Sequence, residues 1–250
     1  MLQKVIQISD CHLYADHNQQ GYAGINPYLS LRKVLADVAT QQADLLIVSG
    51  DLSADGSAAS YQHFLTLWQE SGINCPYVVL PGNHDVLAVM TTQFPEVNLW
   101  LSYPYWQPLI LGRWQIQFIN TKTSGSKGYV SPAQLEALSQ ALFIADSPQL
   151  LVAHHHPLPC HAWMDTHGWQ NAGQLLAVID NAPQVKGLIY GHIHAEKHDK
   201  LGACDFLACP STCWQWAMQA EFGFSSALPG YRVITLANSA ELNSHIMRVQ

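Results

Sequence analysis

Short apolar segments alternate along the chain with longer segments in which apolar residues recur every three or four positions. The short segments predict strands over residues 5–8, 45–48, 77–80, 114–119, 150–153, 187–190, 204–209 and 232–236. The longer segments predict amphipathic helices over residues 30–40, 57–70, 132–142 and 172–179. Strands separated by helices are typical of a layered α/β fold. No repeat or clear linker divides residues 1–250, so we expect a single domain.

Polar side chains follow several of these strands, at the point where each strand ends. The segments are Asp10-Cys11-His12, Gly50-Asp51, Gly82-Asn83-His84-Asp85, His154-His155-His156-Pro157 and Gly191-His192-Ile193-His194. In open α/β sheets, ligand sites assemble at the carboxyl ends of the strands, because the loops converge there. Residues two apart in an extended segment point to the same side. The Asp-x-His and His-x-His pairs are therefore each predicted to present two donors to one cavity.

The polar segments contain enough donors for more than one metal ion. The candidate ligands are Asp10, His12, Asp51, Asn83, His154, His192 and His194. Four ligands usually saturate one zinc ion. The larger set fits two ions about 3.5–4 Å apart that share one carboxylate and a bridging hydroxide. Imidazole and carboxylate donors without a thiolate favour iron, manganese, zinc or similar metals over calcium.

The composition and net charge of the chain agree with a metal site and argue against some classes of partner. Histidine occurs 13 times in 250 residues, and imidazole is both a metal ligand and an acid/base group. Hydrophobic residues make up 48% of the chain, which is enough for a large core. The formal net charge of −7 argues against a nucleic acid or an anionic membrane held by a basic face.

The cysteines bear on the cellular compartment. They are Cys11, Cys75, Cys160, Cys204, Cys209 and Cys213. No Cys-x-x-Cys pair occurs, which excludes a zinc ribbon or a thioredoxin motif. The chain enters its first strand without a signal peptide, so we expect reduced thiols and a cytoplasmic location. Because the count is even, three disulfides are the alternative, and Cys209 and Cys213 lie close together in the sequence. No apolar run reaches the roughly 20 residues needed to span a bilayer.

The order of the five polar segments resembles that of the calcineurin-like metallophosphoesterases, from Ile6 to about Leu236. The resemblance implies a four-layer α/β/β/α sandwich with the metals at one edge. Further features resemble the bacterial class III 3',5'-cyclic AMP phosphodiesterases within that family. They are Ile8-Ser9-Asp10, His12-Leu13, Ala58-Ala59-Ser60-Tyr61-Gln62-His63-Phe64, Leu80-Pro81, the three histidines with Pro157-Leu158-Pro159, and Pro210-Ser211-Thr212-Cys213.

The resemblance also implies roles for individual residues. One metal ion would be held by Asp10, His12, Asp51 and His194, and the other by Asp51, Asn83, His154 and His192. Asp51 would bridge the two ions, and His84 would face the substrate phosphate instead of a metal. The residues implied in substrate binding are His12, Asp51, Asn83, His84 and His194. The ions would be iron, manganese or both, with zinc also compatible.

Several residues near these motifs keep more than one interpretation. His155 and His156 are open between supporting a ligand, lining the substrate pocket and plain packing. Asp85 is expected to orient its loop or a ligand histidine. Cys11 is expected to be a buried, inert thiol. Asn120-Thr121 stands where related enzymes often have Asp-Ser, so no contact is assigned there.

Aromatic and histidine side chains farther along the chain are weaker candidates for substrate contacts. Trp163, Trp169, Trp214 and Trp216 could stack on a purine, with core or loop packing as the alternative. His161 and His167 lie in the loop after the three histidines, near the predicted cavity mouth. They are open between substrate contact and plain surface positions.

The reaction implied by the resemblance is hydrolysis of 3',5'-cyclic AMP to 5'-AMP by the bridging hydroxide. Two divalent ions contribute a charge of about +4, and two aspartates and a hydroxide contribute about −3. The cavity then has a net charge of about +1, which suits a phosphodiester monoanion. His84 would contact the phosphoryl group or protonate the leaving oxygen. The alternatives are another phosphodiester or a nucleotide pyrophosphate as substrate, a catalytically silent metal-binding scaffold, and a metal storage or transport site.

Overall fold

A computed structural model of the protein describes residues 2–97 and 107–250. In chain order the strands are β1 (Leu2–Ile8), β2 (Leu45–Val48), β3 (Tyr77–Val79), β4 (Leu109–Leu111), β5 (Trp114–Phe118), β6 (Gln149–Val152), β7 (Val185–Tyr190), β8 (Lys197–Leu201), β9 (Cys204–Ala208), β10 (Gln215–Trp216), β11 (Phe224–Ser225), β12 (Gly230–Ala237) and β13 (Leu242–Arg248). The α-helices are α1 (Pro27–Val38), α2 (Ala58–Ser71), α3 (Leu87–Gln93), α4 (Pro132–Phe143) and α5 (Ala172–Asp180). Short 3-10 helices cover Tyr22–Gly24, Ala39–Gln41 and Trp163–His167.

Most strands belong to two mixed sheets. The first has the order β13-β12-β1-β2-β3, and the second has the order β4-β5-β6-β7-β9-β8. The central strands of each sheet are parallel, whereas β12, β13, β4 and β8 are antiparallel to their neighbours. Strands β10 and β11 form a separate hairpin. Parallel strands place their carboxyl ends on the same edge, which is the edge that carries the polar segments.

The core is divided into three layers by the two sheets. Val5 and Leu150 belong to the layer between the sheets. Their chain neighbours point the opposite way, as side chains alternate along a strand: Ile6 packs among α1 to α3, and Leu151 packs among α4 and α5. Helices therefore cover both outer faces of the paired sheets. This confirms the predicted α/β/β/α sandwich.

Helix starts follow the local sequence closely. The Asn26 side chain accepts a hydrogen bond from Leu29 N, and Pro27 occupies the first turn of α1. Ser57 and Ser131 cap α2 and α4 in the same way. The Asn26 cap explains why α1 begins three residues before the predicted residue 30.

Each predicted strand and helix coincides with an element of the structure, and their ends differ by at most three residues. Within residues 2–97 and 107–250, the α-helices and strands that the sequence did not predict are α3, β4, β8, β10, β11 and β13. Both β8 and β13 lie at sheet edges and expose much of their length. Edge strands of this kind carry polar and charged side chains, so they lack the apolar pattern of a central strand.

The structure describes all six cysteines, and each is a free thiol. Cys11 is fully buried among apolar side chains, and burial raises the pKa of its thiol well above the usual value. That environment agrees with the expected inert thiol. Within residues 2–97 and 107–250, no helix combines the length and the apolarity needed to cross a membrane.

Candidate metal centre

The loops that follow β1, β2, β3, β6 and β7 meet at one end of the sandwich. Backbone hydrogen bonds join Asp10 N to Gly50 O at 3.0 Å and Gly191 N to His154 O at 3.1 Å. The loop after β3 joins the same cluster, because His84 N donates to Asp51 Oδ1 at 2.8 Å. Segments far apart in sequence therefore place their polar side chains in a common region, as the strand-end pattern predicts.

The Asp51 carboxylate lies between imidazoles from two other loops. Its Oδ2 is 3.3 Å from His154 Nε2 and 3.8 Å from His12 Nε2. His154 Nε2 is also 3.2 Å from Asn83 Oδ1. Asp51 therefore stands between a group with His12 and a group with His154 and Asn83. A carboxylate shared by two ions requires this placement.

Asp10 and His194 complete the group on the His12 side. His194 Nε2 is 3.3 Å from Asp10 Oδ1 and 3.0 Å from His12 Nε2. Two imidazole nitrogens at that separation need a proton or a cation between them, because two lone pairs would repel. Donor atoms of Asp10, His12 and His194 lie within 4.8 Å of one another, and so do those of Asp10, Asp51 and His154. The donor set and spacing fit transition-metal ions.

Backbone carbonyls fix the orientation of three candidate ligand imidazoles. His154 Nδ1 lies 2.9 Å from Ser49 O, His194 Nδ1 lies 3.0 Å from Trp214 O, and His192 Nε2 lies 3.1 Å from His167 O. A carbonyl oxygen only accepts, so each of these ring nitrogens carries its proton. The other nitrogen of each ring is the one that a bound metal ion would contact, after loss of any proton on it.

The charges of the centre favour bound cations. Burial would raise the pKa of Asp51, but the charge of His154 and its hydrogen bond outweigh burial and hold that pKa well below the usual value. Burial would lower the pKa of His154, but Asp51 outweighs it and raises that pKa to about 9. The two carboxylates of Asp10 and Asp51 are nearly inaccessible to water and keep their negative charge beside imidazoles.

A cavity of about 380 Å³ opens beside the candidate ligands. Its lining includes His12, Tyr14, Tyr22, Asp51, Ala54, Asn83, His84, Ser126, Trp163, Met164, His167, His192, His194, Trp214, Trp216 and Phe222. Asp10 and His154 are not in the lining and are fully buried. His84 is exposed and faces the His12 ring edge-on, with ring centroids 5.0 Å apart. His84 therefore lies at the open side of the cluster.

The sequence model of the family described as calcineurin-like phosphoesterase matches residues 3–196. The chain belongs to this family. Its members hydrolyse phosphoesters at a dinuclear metal centre, so the chain is a metal-dependent phosphoester hydrolase. The family's dinuclear centre is compatible with the position of Asp51 between the imidazoles of His12 and His154.

Relatives within the calcineurin-like phosphoesterase family match almost the whole chain. The chain is 35% identical to the 3',5'-cyclic adenosine monophosphate phosphodiesterase CpdA of Escherichia coli, over 98% of this chain and 90% of that protein. It is 34% identical to a 3',5'-cyclic-nucleotide phosphodiesterase of Nostoc, over 98% and 92% respectively. A solved dimetal phosphatase from Danio rerio has a TM-score of 0.69 at 13% identity and covers 99% of both chains, which shows that the fold is shared.

The backbone of this phosphoesterase is left-handed at several of the candidate ligands. The φ angles are 54° at Asp10, 47° at His12, 50° at Asp51, 68° at His192 and 44° at His194. The expectation that the Asp-x-His and His-x-His pairs lie in extended backbone is therefore wrong. The pairs reach the common cluster through left-handed backbone at each of these residues instead. Non-glycine residues in this region are strained, and such residues collect at functional sites.

Glycines make room for the candidate ligands. A Cβ on Gly50 would lie 2.3 Å from His154 Nδ1, and one on Gly82 would lie 2.2 Å from Asp51 Oδ1. Gly50 also has a φ of 108°, which other residues rarely adopt. The backbone therefore approaches a candidate ligand closely at both positions.

Asp85 ties two of the ligand-bearing loops together. Its carboxylate accepts hydrogen bonds from the backbone N–H groups of Gly82, Leu52 and Ser53 at 2.8–3.3 Å. The Tyr61 hydroxyl donates to Asp85 Oδ1 at 3.1 Å and accepts from Val86 N at 2.9 Å. Burial, and next the charge of Asp51, raise the pKa of Asp85 to about 6. From the sequence, Asp85 is expected to orient either its loop or a ligand histidine. Its contacts correspond to the first of these roles.

His155 and His156 lie behind His192 and do not line the cavity. The His155 ring centroid is 4.5 Å from that of His192, and its Nδ1 is 2.7 Å from Thr121 Oγ1. The His156 ring stacks on His192 at 5.6 Å, and its Nε2 is 3.5 Å from Asp165 Oδ1. Both rings are buried, so packing against a candidate ligand is the interpretation that the contacts favour.

The Pro-Ser-Thr-Cys segment holds the first polar loop in place. Ser211 Oγ donates to Asp10 O at 2.8 Å, and Thr212 N donates to Ser9 O at 3.1 Å. Trp214, which directly follows this segment, stacks on the His12 ring at a centroid distance of 5.1 Å and an interplanar angle of 27°. The motif that the sequence linked to the phosphodiesterases therefore holds the backbone at Asp10, and the adjacent Trp214 packs on His12.

The weaker candidates divide between the cavity and the rest of the molecule. Trp163, Trp214 and Trp216 line the cavity, whereas Trp169 is buried in the core and its Nε1 donates to Asn171 Oδ1 at 3.0 Å. His167 also lines the cavity. His161 is exposed and lies outside the lining.

Proposed function

We propose that this chain hydrolyses 3',5'-cyclic AMP to 5'-AMP with two transition-metal ions. The single observation that carries the proposal is the shared carboxylate, because Asp51 lies within 4 Å of imidazoles from both donor groups beside one open cavity. The substrate is proposed from the relatives of similar length, whose names specify cyclic nucleotides. Another phosphodiester or a nucleotide pyrophosphate is the competing substrate class.

The proposed ligands divide between the two donor groups. Asp10, His12, Asp51 and His194 would hold one ion, and Asp51, Asn83, His154 and His192 would hold the other. Iron, manganese or both suit these oxygen and imidazole donors, and zinc is also compatible. When bound, the ions supply an activated water and neutralise charge on the phosphoryl oxygens.

The residues of the chain position the substrate and move one proton. The proposed substrate contacts come from the cavity-lining side chains of His12, Asp51, Asn83, His84 and His194. His84 is exposed at the open side, and its backbone N–H is held by Asp51 Oδ1 at 2.8 Å. Its imidazole is therefore free to donate a proton to the leaving 3'-oxygen or a hydrogen bond to the phosphoryl group, a role worth roughly 10²–10⁴-fold.

The test is hydrolysis of 3',5'-cyclic AMP by the purified protein loaded with iron or manganese. Parallel reactions contain 2',3'-cyclic AMP, cyclic GMP, ADP-ribose and bis-p-nitrophenyl phosphate. We expect the highest kcat/KM with 3',5'-cyclic AMP, and its loss in Asp51→Ala. Turnover of the generic diester with negligible turnover of 3',5'-cyclic AMP would overturn the substrate while keeping the hydrolase. Full metal content without turnover of any ester would instead support a storage site or a silent scaffold.

A further inference from the structure

Several aromatic side chains of the described residues line the cavity, and four of them are referred to below as the aromatic mouth: Tyr22, Trp163, Trp216 and Phe222. The Phe222 ring lies 5.0 Å from Trp163 and 5.6 Å from Trp216, measured between centroids. The Tyr22 ring lies 5.3 Å from Trp216 and 6.4 Å from Phe222. The rings therefore form one continuous patch and not four separate surface positions.

Two of these rings are unusually exposed. Tyr22 exposes 53% of its surface and Phe222 exposes 54%. Large aromatic side chains in water are unfavourable, and a contiguous apolar patch beside a polar cavity is typical of a ligand site. Core packing, the alternative interpretation for aromatic residues here, does not account for rings that remain half in solvent.

Separate segments hold the mouth in a defined shape. Tyr22 begins the 3-10 helix Tyr22–Gly24, and Trp163 begins the 3-10 helix Trp163–His167. Phe222 lies in the turn of the β10–β11 hairpin, which is closed by a hydrogen bond from Ala217 N to Gly223 O at 2.9 Å. Trp163 N donates to Gln219 O at 2.8 Å, which docks the hairpin against the second helix. The mouth is therefore preorganised for a flat ligand.

The mouth is continuous with the metal centre. Trp216 stacks on the His194 ring, with centroids 4.9 Å apart and an interplanar angle of 26°. The same cavity is lined by Asn83 and His84 at its other end. A single ligand can therefore contact the polar end with a phosphate and the aromatic end with a ring.

The charges of the lining favour one phosphate over two. Among the described residues that line the cavity, none is lysine or arginine. The second phosphate of a pyrophosphate would therefore find no lysine or arginine to contact among the described lining residues. A diester of glycerol would leave the same rings exposed to water.

We propose that the aromatic mouth binds the purine base of the substrate and makes the enzyme selective for nucleoside cyclic phosphates. The identity of the phosphate end of that substrate rests on the proposed function above. Bases stack on aromatic side chains with little dependence on sequence, because every base has a π-face. The phosphate lies at the metal centre, and the base extends across Trp216 toward Phe222 and Tyr22.

The experiment compares variants of the metal-loaded enzyme on substrates with and without a base. Phe222→Leu and Tyr22→Leu keep apolar volume but remove the ring, and Phe222→Tyr keeps the ring. Phe143→Leu is the matched control, because Phe143 is 90% exposed and lies outside the cavity. The readout is the ratio of kcat/KM for 3',5'-cyclic AMP to kcat/KM for glycerophosphoethanolamine, a phosphodiester that carries no ring.

We expect this ratio to fall by roughly 5- to 150-fold in the two leucine variants, the equivalent of about 1–3 kcal/mol at about 1.4 kcal/mol per tenfold. Most of the change should appear in KM. Phe222→Tyr should recover most of the ratio, and Phe143→Leu should match the wild type. An unchanged ratio in both Phe222→Leu and Tyr22→Leu would overturn the proposal.

A binding measurement separates this proposal from the proposed function. Saturation-transfer NMR reports contact between the protein and the adenine protons of adenosine, which has no phosphate. We expect a signal with the wild type that weakens in Phe222→Leu and persists in Phe143→Leu. If the wild type fails to hydrolyse 3',5'-cyclic AMP but gives this pattern, only the proposed function fails. Absence of the adenosine signal in the wild type would overturn the aromatic mouth as a base site.

Discussion

The inner end of the cavity and its aromatic mouth are built in different ways. The inner end consists of buried carboxylates and imidazoles at the ends of central strands, held by backbone carbonyls and by the Asp85 network. The mouth consists of rings carried by short 3-10 helices and a hairpin, and two of these rings are half exposed. Most substitutions at the inner end would remove a candidate ligand or a contact that holds one. Substitutions at the mouth leave the candidate ligands in place.

This difference assigns chemistry and selectivity to separate parts of the molecule. Phosphoester hydrolysis depends on donors whose positions are over-determined by the sheets. Choice of substrate depends on loops that a rigid scaffold positions and that tolerate substitution. Variants at the inner end should therefore affect every ester, and variants at the mouth should affect only those esters that carry a base. The predictions below test this division, starting with the largest expected effect.

Asp51→Asn should weaken metal binding and hydrolysis at the inner end of the cavity. Asparagine keeps the shape of the side chain but removes the charge and one of the oxygens between His12 and His154. Since loss of a supporting residue alone typically costs 10–100-fold in metal affinity or activity, we expect a larger loss here for every ester tested. Metal analysis of the purified variant should show less than the full complement of ions. Normal metal content together with normal turnover would contradict the shared-carboxylate assignment.

His84→Ala should separate proton transfer from metal binding. His84 is exposed at the open side of the cluster and is not among the proposed ligands. We expect kcat to fall by roughly 10²–10⁴-fold while metal content stays at the wild-type level. His161→Ala is the control, because His161 is an exposed imidazole outside the cavity lining. Metal loss in His84→Ala would show instead that His84 is a ligand.

Gly21→Ala should disturb the junction between the two regions. Gly21 has a φ of −96°, which alanine adopts freely, but a Cβ there would lie 2.3 Å from the Trp214 ring. Trp214 stacks on His12 and also contacts the Tyr22 ring at 5.4 Å. We expect kcat/KM to fall by about 10-fold for all esters, the lower end of the range for residues that orient a ligand.

A double variant identifies the cause of that loss. If the added methyl group acts by displacing the indole, Gly21→Ala should cost little more once Trp214 has been replaced by leucine. Kinetic assays of both single variants and of the double variant give the coupling. Additive losses would show that the methyl group acts through some contact other than Trp214.

The central layers of the fold and the polar segments were predictable from the sequence for the same physical reason. Buried strands need apolar side chains, and metal ions need carboxylate or imidazole donors, so both requirements restrict residue type. Val5-Ile6-Gln7-Ile8 followed by Asp10 shows both restrictions within a few positions. Edge strand β8 was not predicted, because an exposed strand does not require apolar side chains.

The contacts that support the site were much less visible in the sequence. Ser49, His167 and Trp214 orient candidate ligands through backbone carbonyls, which every residue has. The periodicity of α2 places Tyr61 on the buried face, but nothing in that pattern indicates a hydroxyl bound to Asp85. The left-handed turn at Asp10 also left no signal, because aspartate is common in many conformations.

Tyr61→Phe has the smallest expected effect and tests whether the Asp85 network belongs to the inner end. The change removes a buried hydroxyl that donates to Asp85 and accepts from Val86 N, and it leaves Asp85 its backbone donors. We expect the free energy of unfolding to fall by about 1–3 kcal/mol, as measured by chemical denaturation. Metal affinity should fall by less than about 10-fold, below the usual range for a residue that orients a ligand directly.

Tyr231→Phe is the matched control for this last prediction. Tyr231 is also buried, and its hydroxyl donates to Asp37 Oδ2 at 2.6 Å, away from the cavity. Both variants lose one hydrogen bond to a carboxylate, so both should lose stability. Only Tyr61→Phe should weaken metal binding, because Asp85, unlike Asp37, joins the loops that carry Asp51 and Asn83. Equal metal affinity in the two variants would mean that the Asp85 network stabilises the fold without shaping the metal centre.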